Sequence, residues 1–162
     1  MWKKKFTLAT SSFLLLSYII LTSCSEADCS MLDGVRSKYV AKGEPTTDTL
    51  TVLAVREGLA DTTILYKLQD IKTFSLPLSY NNEQDKLKFV FNTKSGKKIT
   101  DIVKITKTNV SYFENISCPA YFLHKITKVE NTTNRIDHID INNANVNLDG
   151  KENLYIYFKS DN

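Results

Sequence analysis

Only two histidines, His124 and His138, occur in the 162 residues. Neither stands in an H-x-H or H-E-x-x-H spacing, so the common zinc patterns are missing and no metal is expected. Five glycines are too few and too scattered for a phosphate-cradling loop, and no serine sits in a G-x-S-x-G elbow. Nucleotide chemistry and serine-dependent acyl transfer are therefore not expected. The single tryptophan is Trp2, so no indole platform follows it. Surplus positive charge is missing as well. The chain holds 21 Lys+Arg against 18 Asp+Glu, but Lys3, Lys4 and Lys5 precede every acid, and from residue 24 onward the signs balance. Without a basic surplus nothing drives the phosphate neutralisation that dominates nucleic-acid binding, and no nucleic-acid partner is expected. Repeats, low-complexity tracts and Pro/Gly/Ser-rich linkers are also absent.

One long hydrophobic run is present, Phe6 to Leu21. It is short for a membrane span of ~20 apolar residues and contains Thr7, Thr10, Ser11, Ser12 and Ser17. A basic head, an apolar stretch and small residues at its end have the order of an export signal. The end reads Leu21-Thr22-Ser23-Cys24 and resembles the bacterial lipobox, which predicts cleavage before Cys24 and acylation of its thiol. Two or three acyl chains make a stable membrane anchor, because each buried methylene contributes ~0.8 kcal/mol. Ser25 in the second mature position resembles lipoproteins passed to the outer membrane, on its periplasmic face or the cell surface. The acids Glu26 and Asp28 are similar to a short surface-export tract, and equally to a plain solvated tether.

With Cys24 assigned to lipid, Cys29 and Cys118 are left as an even pair in a compartment that permits disulfides. They are expected to bond with each other, two separate thiols being the alternative. The expected organisation is a signal peptide at 1–23, a lipid-anchored tether at 24–28 and one β domain from 29 to 162, a length that suffices for a single core.

Beyond the tether, short β-branched and aromatic segments recur between turn signals without a sustained 3.6-residue period. Phe74, Leu76, Leu78 and Tyr80 alternate around Pro77, which lacks an N–H and so belongs at a sheet edge or a bulge. Leu87, Phe89 and Phe91 precede the turn Lys94-Ser95-Gly96-Lys97, and Ile99, Val103 and Ile105 share a parity after it, which predicts a hairpin. "DTLTVLAV" and "DTTILY" read as strands around Gly58, "GVRSKYVA" as a first strand, and "AYFLHKITKV", "RIDHIDI" and "NLYIYF" as the last three. About nine strands predict an all-β, antiparallel sandwich with immunoglobulin-like architecture. A closed barrel is the alternative.

The segments "SLPL" at 75–78, "DKLKFVF" at 85–91, "TDIVKI" at 100–105, "ISCPAYF" at 116–122, "IDHIDINNANVN" and "ENLYIYF" at 152–158, with Cys24 and Cys29, carry a resemblance to an uncharacterised family of Bacteroidetes lipoproteins, of the domain-of-unknown-function 6452 type. Pro119 departs from the glycine expected after the middle cysteine. The resemblance implies a β-rich lipoprotein domain and brings no activity with it.

Candidate sites are few. "NVNLDG" at 145–150 partly matches a calcium loop, but Ile156 stands where the bidentate Glu belongs, and an Asp-Gly turn explains the same residues. Asp137 and Asp140, three apart in a strand, are expected on opposite faces. Tyr155 and Tyr157, two apart, are expected on one face as a glycan-stacking platform, with Leu154, Ile156 and Phe158 on the other. Thr49 in "DTL" and Thr62 in "DTT" resemble O-glycosylation triplets. No cofactor is expected. These signs point to a non-enzymatic envelope lipoprotein with the membrane and an envelope protein as partners, or alternatively to a surface glycan-binding module.

Overall fold

Alternation of apolar and polar residues dictates the secondary structure from Arg36 onward. In the computed structural model, which describes residues 34–43, 46–114, 116 and 118–160, ten strands follow one another and no helix occurs among the described residues. They are β1 (Arg36–Lys42), β2 (Thr49–Ala54), β3 (Thr62–Leu68), β4 (Thr73–Pro77), β5 (Gln84–Asn92), β6 (Lys98–Tyr112), β7 (Tyr121–Asn131), β8 (Ile136–Ile141), β9 (Asn145–Val146) and β10 (Leu154–Phe158). All described residues belong to one compact unit, Met31–Asn162. The expected signal segment, Cys24, the tether and Cys29 lie outside the described residues. Among the described residues no helix is long and apolar enough to cross a membrane.

The strands form two sheets, a four-stranded one in the order β4-β1-β10-β8 and a six-stranded one in the order β3-β2-β5-β6-β7-β9. The six-stranded sheet curls into a half-barrel. Every described pairing is antiparallel except β1 with β10, which run parallel with Tyr39 opposite Leu154. Local alternation gives no sign of this pairing, because it joins the first strand to the last. The tenth strand, β9, is only two residues long and pairs Val146 with His124 of β7.

Inward faces of both sheets share one core. Tyr39 stacks on Phe74 at 4.8 Å within the smaller sheet, and Phe89 meets both from the larger one at 6.2 and 6.3 Å. Phe91 packs edge-on against Phe158 at 5.7 Å. Offset and edge-to-face rings of this kind add to plain area burial. The β5–β6 hairpin forms as the sequence indicates, with Phe91 opposite Ile99 and Gly96 at φ 83, a backbone region glycine occupies at no steric cost. Pro77 ends β4, an edge strand. The alternation stops there, so Leu78 is still buried while Tyr80 turns out to solvent.

Candidate functional site

Parity along β10 places Tyr155 and Tyr157 on the outer face of the four-stranded sheet, with Leu154, Ile156 and Phe158 buried on the other side. Register then decides their neighbours. Tyr157 lies opposite His138 and Tyr155 opposite Asp140 on β8, while Lys42 and Val40 flank them on β1. The His138 ring stacks on Tyr157 at 4.2 Å with 13° between planes. The Lys42 ammonium sits 4.2 Å above the Tyr155 ring, a cation–π arrangement. Burial against these neighbours, together with the Glu152 carboxylate, pushes the Tyr155 hydroxyl up from its ordinary pKa. Both rings thus have one face engaged within the protein.

Asp137 and Asp140 are closer in space than strand alternation indicates, since both lie beside His138. The register shifts between Tyr157 and Phe158, and this bulge leaves Asp137 and His138 exposed in succession. The His138 Nδ1 lies 2.7 Å from Asp137, and its Nε2 lies 4.0 Å from Asp140. A bulge adds a residue and re-aims the side chain beside it, so the expected opposite-face placement does not hold here. The resulting group is an exposed imidazole between two carboxylates. Among the described residues no group of three or more His, Cys, Asp and Glu could hold a metal.

The other histidine has a different environment. His124 is buried, its Nδ1 2.8 Å from the Asn109 Oδ1. Burial, then the nearby Lys107 charge, push it down to about 4. Lys107 is itself buried and donates to the Ser79 carbonyl at 2.6 Å and the Asn82 carbonyl at 2.5 Å, with Asp85 at 3.3 Å. Burial raises the Asp85 carboxyl, an effect the Lys107 charge and the Ser79 N–H partly offset. Asn109 adds two bonds to the carbonyls of Tyr80 and Asn82. This cluster fastens the 78–83 segment onto the half-barrel.

A second buried cluster surrounds Asp101. One carboxylate oxygen accepts from the Thr132 hydroxyl and the Asn134 N–H, the other from the N–H groups of Arg135 and Ile136, all within 2.7 to 2.8 Å. The Arg135 guanidinium pairs with Asp48 at 2.7 Å and donates to Thr46 and the Lys159 carbonyl. A third hub is Asn153, whose side chain accepts from the Lys38 N–H and donates to the carbonyls of Asn143 and Asn145. The sequence singled out none of Asp101, Lys107, Arg135 or Asn153. One signal was available: Asp101 and Lys107 share the inward parity of Ile99, Val103 and Ile105.

The remaining candidates fall as follows. Thr62 is exposed at the start of the edge strand β3, and the preceding Asp61 pairs with Lys88. Thr49 is half-buried, and its preceding Asp48 is the buried partner of Arg135. Asp149 and Gly150 lie in a loop of Asx turns, where Asn147 accepts from the Asp149 N–H and Asp149 from the Lys151 N–H. These bonds hold the Asp149 carboxyl below its ordinary range. Cys118 is buried.

The family model for a family of unknown function, DUF6452, matches residues 49–158. No curated protein and no solved structure matches the chain.

Proposed function

This chain belongs to the DUF6452 family of unknown function, and from that premise we propose that it is a non-enzymatic lipoprotein of the bacterial outer membrane, an envelope module making protein or structural contacts. The observation that carries this reading is where the buried ionisable groups point. Asp101, Lys107 and Arg135 are turned onto the chain's own carbonyls, N–H groups and carboxylates. Groups tied to the chain in this way brace a fold and do not face a substrate. The address rests on the lipobox-like Leu21-Thr22-Ser23-Cys24.

In this reading Cys24 carries the lipid and Cys29 bonds to Cys118. The support is that Cys118 is buried and its sulfur engaged. A bridge closing so long a loop contributes up to ~4.5 kcal/mol in the chain-entropy account. The two packed sheets are read as immunoglobulin-like in the broad sense of two β layers around one core. Of the two O-glycosylation candidates, exposure favours Thr62 over Thr49.

Crosslinking in intact cells tests the partner reading. A discrete envelope protein recovered with the chain is the expected result, whereas no adduct together with an unchanged envelope after deletion would remove it. One observation favours the glycan-binding alternative, the shared outer face of Tyr155 and Tyr157 beside His138. If that reading holds, Tyr157→Ala abolishes glycan retention.

A further inference from the structure

The far end of the β6–β7 hairpin is unlike the rest of the surface. From Thr108 to His124 the sequence TNVSYFENISCPAYFLH carries one acid, Glu114, and no Lys or Arg, in a chain that is 24% charged overall. Apolar side chains that the core does not use point outward there. Phe113 is 68% exposed, Val110 58% and Ile116 fully so. Tyr112 meets Tyr121 across the hairpin at 5.1 Å with the rings tilted by 46°, and Tyr80 stacks on Phe122 at 5.2 Å. A contiguous aromatic end of this kind marks a binding surface.

Chain length indicates what the surface meets. Gly34 and Val35 line the same groove, of about 510 Å³, as Tyr80, Tyr121 and Phe122. The described chain therefore begins at this end of the domain. Gly34 is only ten residues from Cys24, at most about 35 Å of extended chain. A bridge from Cys29 to Cys118 shortens the limit further, because five residues span at most about 18 Å and Cys118 lies in the same hairpin loop as Phe113 and Ile116.

We propose that this hairpin end is a membrane-contact surface, and that Val110, Tyr112, Phe113, Ile116 and Tyr80 rest in the headgroup layer of the bilayer that holds the Cys24 lipid. The inference rests on the lipid anchor of the preceding subsection. Tyrosine suits this layer, since a ring with a polar edge gains from both the apolar and the wet side, and phenylalanine adds apolar area at the acyl boundary. With Glu114 the one charged residue of the 108–124 segment, the cost of bringing ions against the bilayer is confined to a single carboxylate, which the wet headgroup layer accommodates. Lipid and hairpin then act as two linked attachments, which fixes the domain's orientation on the surface.

Because the only tryptophan is Trp2, the processed chain has no indole emission, and one introduced indole, excited at wavelengths that tyrosine does not absorb, reports its own depth. Full-length Phe113→Trp and Lys94→Trp are expressed, extracted from membranes, checked by intact mass for acylation, and placed in phosphatidylethanolamine/phosphatidylglycerol vesicles with or without dibrominated phosphatidylcholine. Lys94 is exposed in the β5–β6 turn, at the other end of the fifteen-residue β6, roughly 50 Å away. The expected result is a blue shift and bromine quenching for the Phe113→Trp indole, with neither for Lys94→Trp. Acylated protein in which both indoles stay unquenched overturns the membrane contact and leaves the anchor standing. A mass without acyl chains overturns the anchor, and the contact with it. Ile116→Trp, also on the surface, repeats the test at a second position.

Discussion

The main-chain N–H of Arg135 donates to the Asp101 carboxylate at 2.7 Å, while the guanidinium of the same residue pairs with Asp48 at 2.7 Å. Asp101 stands on β6 of the six-stranded sheet, and Arg135 ends the turn by which the chain passes from β7 to β8 of the four-stranded one. Three buried charged residues, Asp48, Asp101 and Arg135, thus hold the corner where one sheet gives way to the other.

Asp101→Asn replaces one acceptor oxygen with an NH2 group that faces main-chain donors. Leaving buried donors without an acceptor costs about 1–3 kcal/mol each in the worst case, so the variant is expected to lose roughly 2–4 kcal/mol. Urea unfolding of both proteins measures this. An unchanged midpoint would mean that the corner is held by something else.

Lys107 and Asp85 form a buried pair at 3.3 Å. Lys107→Met removes the charge partner of Asp85 and the donor to two carbonyls, with an expected loss of about 3–5 kcal/mol. Asp85→Asn in the same chain no longer leaves an unpaired anion, so the double variant is expected to be more stable than the sum of the single losses. A double-mutant cycle by denaturant unfolding reads this coupling. Simple additivity would show that the two groups act independently.

His124 gives the fold an acid-sensitive element. Its folded value lies at about 4, and an unfolded imidazole titrates at about 6.5. Above the unfolded value both states are neutral there and the stability is whole. Between the two values only the unfolded chain binds the proton, so stability is lost as pH falls through about 4. The loss is on the order of 2–3 kcal/mol. Asp85 works in the opposite direction, because its raised carboxyl takes up a proton more readily in the folded state. Urea midpoints at neutral and acid pH should therefore fall less for His124→Asn than for the parent. Parallel curves would remove His124 as the cause.

Tyr39 is fully buried, and among the described residues its hydroxyl has no hydrogen-bond partner. The neighbouring Ser37 hydroxyl donates instead to the Leu76 carbonyl at 3.2 Å. Burial accordingly pushes the phenol well up from its ordinary value. Tyr39→Phe keeps the stack on Phe74 and removes the unsatisfied group, so a gain of about 1 kcal/mol is expected. Thermal unfolding checks it, and a lower melting temperature would reveal a partner for the hydroxyl.

Much of this β architecture was legible because its strands alternate cleanly. Leu87, Phe89 and Phe91 are buried as their spacing indicates, and nine of the ten strands coincide with apolar segments of the sequence. The parallel pairing of β1 with β10 was not legible, since periodicity sets faces and not partners. Nor was β9, too short at two residues to show a period. The buried clusters escaped for another reason. Asp101 and Lys107 sit at inward positions of β6 among Val103 and Ile105, and a charge there makes sense only once the turn it satisfies is known. The relation of Asp137 to His138 depends on a bulge, which alternation alone hides.

The most direct test of the anchored-lipoprotein account is the intact mass of the native protein from a membrane fraction, with alkylation before and after reduction. The account predicts loss of residues 1–23, acyl mass on Cys24, and Cys29 and Cys118 that take up alkylating agent only after reduction. An unacylated amino terminus, or cysteines that react without reductant, would contradict it.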